Sequence, residues 1–229
     1  MTPRQGTEMA IAGLEFIDSA VQMPLTKLPV RTVIVPVASG RVLLSPASTL
    51  TREALLQAGA VTDIVAPNLF HTGGIQAASA AHPGARVWGP PGCREKLPGV
   101  TWHGLLGKDS WPHAGELPVF QVAGMPGFNE QVFLHKASRS LLVSDLVFNV
   151  VDARGAGAWL IFSLFGTYRR LGVSRLFMKY AKDRPAFEAS MKELTALEFD
   201  HLVPGHGAVV MSEGRAALIG ALRERGVRL

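Results

Sequence analysis

Residues 61–89 constrain the chain more than any other stretch. The run Val61-Thr62-Asp63-Ile64-Val65-Ala66 has the β-branched, apolar content of a buried strand, and Pro67 ends it. A loop carrying His71 follows. Gly73-Gly74 then lead into Ile75-Gln76-Ala77-Ala78-Ser79-Ala80-Ala81, predicted as a helix over 74–81, and His82-Pro83-Gly84 stops it. Ala85-Arg86-Val87-Trp88-Gly89 reads as a second strand. Strand-helix-strand crossovers are overwhelmingly right-handed, so these two strands run parallel with the helix packed on one face of their sheet. An α/β layer structure follows. The His71 loop lies at the carboxyl end of a strand, where polar groups converge on a crevice and a helix N-terminus favours anions.

Upstream, residues 31–37 and 41–45 form an antiparallel pair across Ala38-Ser39-Gly40, with Pro36 marking an edge or a bulge. A short helix over 51–58 follows, capped by Thr49 or Thr51 and stopped by Gly59. Trp102 and Trp111 are expected to cover the core edge. Downstream, residues 119–122, 131–135 and 140–145 read as a three-stranded meander whose last strand closes at Asp145. Residues 158–182 are expected to be mostly helical with a break near Gly172. Pro185 opens a helix over 186–197, where its missing N–H costs nothing. A strand from His201 then runs into Pro204-Gly205-His206-Gly207, and a helix over 213–225 ends the pattern.

At 229 residues the chain is expected to be one domain, with an N-terminal extension over 1–28, a core over 29–210 and a C-terminal helix over 211–229. A content of 48% hydrophobic against 18% charged residues excludes disorder. The single cysteine, Cys93, excludes an internal disulfide and a cysteine-based zinc cluster, so any metal must rest on His, Asp, Glu or Asn. A thiol nucleophile is disfavoured because no histidine of suitable context accompanies it. Residues 1–28 lack the apolar core of an export signal, and a cytoplasmic location is the expectation. The apolar run over 158–165 is too short to span a membrane. Net charge is +5, with Arg169, Arg170, Arg175, Lys179, Lys182 and Arg184 clustered. That cluster reads as a solvated helix face, or as contact with an anionic substrate, lipid surface or partner. No nucleic-acid motif accompanies it.

Three polar side chains fall at predicted strand ends: His71, Asp145 and His206. Each alone reads more readily as a structural histidine or a capping aspartate than as a ligand. Together they are enough to hold a divalent ion with open positions, and the set suits zinc or Fe(II). Asn68 reads as an Asx turn or as an oxygen ligand, with the turn favoured.

The succession Asn68-x-Phe70-His71-x-Gly73-Gly74, the Gly124 to Gly127 turn, Ser144-Asp145 and Val203-Pro204-Gly205-His206-Gly207 resembles the metallo-β-lactamase fold family over about residues 31–210. The resemblance implies an αββα sandwich of two mixed sheets flanked by helices. The family's loop reads His-x-His-x-Asp-His-x-Gly-Gly; this chain has Ala66, Asn68 and Phe70 in place of the first two histidines and the aspartate, and Gly124 in place of a further histidine. What survives, His71, Asp145 and His206, corresponds to the second metal position. The resemblance therefore implies a depleted site with at most one zinc or iron ion. It also implies a hydrolase acting on a small molecule, in which Asp145 and His206 are the catalytic candidates. The alternatives are a metal-free, catalytically inactive binding or scaffold relative and an iron-dependent redox protein.

Overall fold

The computed structural model describes residues 11–229, so residues 1–10 of the expected extension lie outside the described residues. One sheet contains β1 (Glu15–Gln22), β2 (Lys27–Val37), β3 (Gly40–Leu44), β4 (Val61–Val65), β5 (Arg86–Gly89) and β6 (Gly104–Leu105), neighbours in that order. β1, β2 and β3 are antiparallel; β3 to β6 run parallel. α1 (Arg52–Leu56), α2 (Ile75–Ala81) and α3 (Cys93–Lys96) occupy the crossovers. The Thr51 hydroxyl caps α1 by accepting the Ala54 N–H at 3.3 Å. Pro36 lies past the last β1 pair, Glu15 with Ile34, so β2 is locally an edge there and the missing N–H breaks no ladder on that side.

Part of the expected N-terminal extension is β-structure. Residues 15–22 form β1 and pair along their whole length with β2. Their side chains are exposed or half-buried and none is fully buried, so the stretch lacks the apolar face that announces a strand.

The second sheet begins with the expected meander, β7 (Val119–Gln121), β8 (Gln131–His135) and β9 (Ser140–Asn149). Residues 158–182, expected to be mostly helical, divide instead into α4 (Ala156–Phe165), the short β10 (Leu171–Gly172) and α5 (Arg175–Met178). The cause is the length of β9, which continues past Asp145 to Asn149; its far end, beyond the reach of β8, is paired by β10. After α6 (Arg184–Ala196), β11 (His201–Gly207) runs parallel to β9 along its other edge, and α7 (Gly214–Arg223) follows.

The layers follow from the two-residue period of the strands. Val33, Val35 and Val42 of the first sheet meet Phe133, Leu142 and Val203 of the second in a shared core. Ile34, Leu43 and Ile64 point the other way onto Leu55, Ile75 and Ala78 of α1 and α2. On the far side, Val132, Leu134 and Leu141 pack against Phe187, Met191 and Leu194 of α6, while Leu218 and Leu222 of α7 join the same cluster. The architecture is αββα, as the sequence resemblance implies. Trp102 and Trp111 are both buried in it.

Candidate metal centre

Asp145 does not close β9; it sits in a bulge inside it. Between the pairs Val143 with Pro204 and Phe148 with His206, β9 advances five residues while β11 advances two. The ladder opposite is interrupted as well, because β8 pairs only with residues 140–142 and β10 only with 148–149. Glu130 fills the gap. Its Oε1 accepts the N–H groups of Ser144, Asp145 and Leu146 at 2.9, 3.0 and 3.1 Å, and its Oε2 accepts the Asn68 amide at 2.8 Å. A bulge re-aims a side chain, and here it turns the Asp145 carboxylate toward the first sheet. Glu130 is fully buried, and burial together with the Asp145 charge pushes its pKa up to about 7 against the pull of those donors.

His71 comes from the loop after β4. The Asn68 Oδ1 accepts the N–H groups of Phe70 and His71, both at 2.8 Å, so Asn68 makes the Asx turn and keeps its oxygen inside the loop. Its Nδ2 bridges Glu130 and Asp145, at 2.8 Å from each. The His71 Nδ1 lies 2.6 Å from the Ser45 hydroxyl. Ser45 is a non-glycine residue at φ 57°, held there by its N–H to the Val65 carbonyl and by the Thr32 hydroxyl on its own carbonyl. His206, from β11, is buried with its ring stacked on Phe148 and its Nδ1 2.8 Å from the Pro29 carbonyl. Gly205 permits this packing: a Cβ there would stand 3.0 Å from the Ser144 carbonyl and 3.4 Å from the His71 ring.

The three expected residues are thus brought together. The His71 Nε2 lies 3.1 Å from the Asp145 Oδ2 and 3.1 Å from the His206 Nε2, which is itself 3.1 Å from the Asp145 Oδ1. A carbonyl can only accept, so the His206 Nδ1 carries a proton and, in the neutral ring, its Nε2 presents a lone pair. That lone pair faces a carboxylate oxygen and a second imidazole nitrogen. Three acceptors converging at this range call for a shared cation or an added proton, and both rings have an oxygen partner on Nδ1 that orients Nε2 inward, as metal-binding histidines do. The donor set therefore fits a divalent ion. Burial works to raise the Asp145 pKa, but the charge of His71 and the hydrogen bonds that the imidazoles donate when protonated hold it well below the usual carboxylate range. Burial likewise favours neutral His71, and the Asp145 charge outweighs it, leaving the imidazole easier to protonate.

The positions that depart from the family pattern are occupied otherwise. Ala66 is core. Phe70 is half exposed and stacks on Phe128 at 4.7 Å, so it stands on the wall of the site and leaves the space among the three donors open. Gly124, at φ 75°, packs its backbone against the start of α6, where a Cβ would come within 2.2 Å of the Asp183 carbonyl. Above the donors lies a cavity of about 380 Å³. Phe70, Phe128, Phe148, Phe162, Phe177 and Tyr180 wall it, and Ser45, His71, Asp145 and His206 supply its polar floor.

Glu130, Ser45 and Pro29 have no signature in the sequence, since each acts on a residue far away in the chain. The cavity wall was readable only as scattered aromatics. Of the other histidines, His113 has a partner the sequence does not reveal, the buried Asp63 at 2.9 Å. Cys93 is buried, and burial pushes its thiol up to about 11, which removes it as a nucleophile.

A scan against protein-family models and a search of curated proteins return no match. Solved structures do match over nearly the whole chain. A metallo-beta-lactamase from Pontibacter korlensis superposes with a TM-score of 0.65 at 16% identity, covering 93% of this chain and 95% of that one. FIM-1 from Pseudomonas aeruginosa, solved in its mono-zinc form, gives 0.63 at 14% identity, with 94% and 93% covered. The metal-soaked Flv1 flavodiiron core from Synechocystis sp. PCC6803 gives 0.65 at 12% identity, with 94% of this chain and 59% of that one covered. Likeness at these identities establishes the fold and leaves the chemistry to the site.

Proposed function

We propose, from the premise that this chain has the metallo-β-lactamase fold, that it is a hydrolase using one divalent cation held by His71, Asp145 and His206. The observation that carries this reading is the convergence of two imidazole Nε2 atoms and a carboxylate, each about 3.1 Å from the next, on the floor of an apolar cavity. A zinc or iron ion bound there would supply Lewis acidity and water activation near neutral pH. The chain's own residues do the rest. Pro29 and Ser45 orient the two imidazoles, and Asp145 is the carboxylate placed to accept a proton at the cavity floor. Asn68 occupies the space between Asp145 and Glu130, which argues for one ion rather than two. The aromatic wall selects a small molecule with a large apolar portion.

Phe70 stands where the family has an orienting carboxylate. Loss of a positioned acid or base typically costs about 10²–10⁴-fold, so turnover is expected to be slow. The same substitution favours a second reading, a binding protein that keeps the cavity and lacks catalysis.

Elemental analysis of protein purified without added ions tests the first step. Stoichiometric zinc or iron, lost in His206→Ala, supports the metal site; metal-free protein whose stability is indifferent to His71→Ala and His206→Ala overturns it. Given bound metal, hydrolysis of chromogenic esters, thioesters or lactams with apolar groups supports the enzyme, and tight binding of such compounds without turnover supports the second reading.

A further inference from the structure

One face of α4 has no partner among the described residues. The helix reads AGAWLIFSLF, with no charged residue and one polar one, Ser163. Ala158 and Phe162, one turn apart, point into the core, while Trp159, Leu160 and Leu164 on the outer side are 57%, 49% and 64% exposed. A helix apolar on all sides is ordinarily covered on all sides, and ten residues are too few to span a bilayer. Leu25, in the turn between β1 and β2, extends the exposed surface; its carbonyl packs on Gly157 of α4. Leu176 of α5, which lines the cavity together with Phe162 and Phe165, extends it further. An exposed apolar patch of this kind marks an interaction surface.

Charge identifies what covers it. Residues 153–182 contain six Lys and Arg and no Asp or Glu. The Arg175 guanidinium donates to the carbonyls of Ser163 and Leu164, both at 3.0 Å, and so stands at the C-terminal end of α4. Arg170 is paired with Glu224, whereas Arg154, Arg169, Lys179 and Lys182 make no ion pair among the described residues. A symmetric contact with a second copy would bring this all-positive segment against itself. Exposed hydrophobic side chains, one of them tryptophan, in a segment whose charges are all positive have the composition of a surface that lies on anionic lipid.

We propose that the outer face of α4, with Leu25 and Leu176, docks on an anionic membrane surface. Trp159, Leu160 and Leu164 enter the headgroup region while the cations of residues 153–182 meet lipid phosphates. Phe162 and Phe165 of the same helix line the cavity, so docking brings that wall of it within about one helix diameter, roughly 10 Å, of the lipid. An amphiphile can then pass from the bilayer to the aromatic pocket without crossing water. The docking stands on the surface alone and does not depend on a bound metal.

Sedimentation of the full chain with vesicles tests it, using phosphatidylcholine alone and phosphatidylcholine mixed with phosphatidylglycerol. Binding is expected to the mixed vesicles, to weaken at high salt, and to fall about tenfold or more in Leu160→Glu/Leu164→Glu. Each of Arg169→Gln, Lys179→Gln and Lys182→Gln is expected to weaken it roughly fivefold. Trp159 is the exposed one of four tryptophans, so a blue shift of fluorescence on the mixed vesicles reports insertion independently. Absence of binding at low salt overturns the proposal. So does binding unchanged in a double variant that melts like the parent. A dimer in sedimentation velocity that this variant disrupts assigns the face to a second copy and overturns it too.

Discussion

Glu130 is the residue on which the site's shape turns. Four donors, three of them consecutive backbone N–H groups, converge on one buried carboxylate, and no other side chain among the described residues contacts that stretch of β9 in the same way. Glu130→Gln keeps the shape but sets an amide donor against those donors. An unsatisfied buried donor costs about 1–3 kcal/mol. In a chain of this size that lowers Tm by roughly 2–4 °C per kcal/mol. Because the same carboxylate orients Asp145, metal affinity is expected to fall about 10–100-fold as well. Thermal unfolding and metal titration of the variant check the two parts separately; unchanged affinity would confine Glu130 to holding the strand.

At the level of elements, the centre is the meeting of two departures from regular structure, the β9 bulge and the Asx-turned loop after β4. Gly205 lies between them. Gly205→Ala would put a methyl 3.0 Å from the Ser144 carbonyl, 3.1 Å from the Ser144 Cα and 3.4 Å from the His71 ring. Backbone yields less readily than a ring, so His71 is the group expected to move. The predicted outcome is a modest loss of stability, about 1–3 kcal/mol, with a larger loss of metal binding. Calorimetry alongside metal titration reads both, and intact metal binding would show that the loop absorbs the methyl.

For the whole molecule, a carboxylate remote from the centre, Asp63, contributes to stability in acid. Asp63 on β4 is fully buried and accepts hydrogen bonds from Thr62, Trp88 and the Nε and Nη2 of Arg86, with the His113 ring at 2.9 Å. His113 lies in the connection between the two sheets, so this cluster ties that connection to the first sheet. Burial raises the Asp63 pKa, but the hydrogen bonds of Arg86, His113, Trp88 and Thr62 together bring it below its ordinary 3.8. A depressed carboxylate contributes stability above its unfolded-state pKa, and that contribution disappears as pH falls from near 3.8 through the lower folded-state value. Asp63→Asn is expected to be about 3 kcal/mol less stable near neutral pH, because it leaves buried donors unpaired. Its stability should also vary less across the acid range. Urea unfolding from pH 7 downward compares the slopes; parallel curves would remove Asp63 from the acid limb.

Much of this molecule can be read from local pattern. The parallel pair around the His71 loop, the meander and the three ligand candidates depend on apolar periodicity, turn residues and side-chain identity, which act over a few positions. β1 escaped because half-exposed edge residues carry no apolar stripe. Asp145 reads as a strand end in the sequence because a bulge looks like a stop; Leu146, Val147 and Phe148 continue the same strand. Glu130 reaches Asn68 across 62 residues and Pro29 reaches His206 across 177, and nothing within either short segment encodes its partner. Periodicity says which face of an element is buried. Only the packed fold decides what it is buried against, and with that the orientation of every imidazole and the apolar cavity above them.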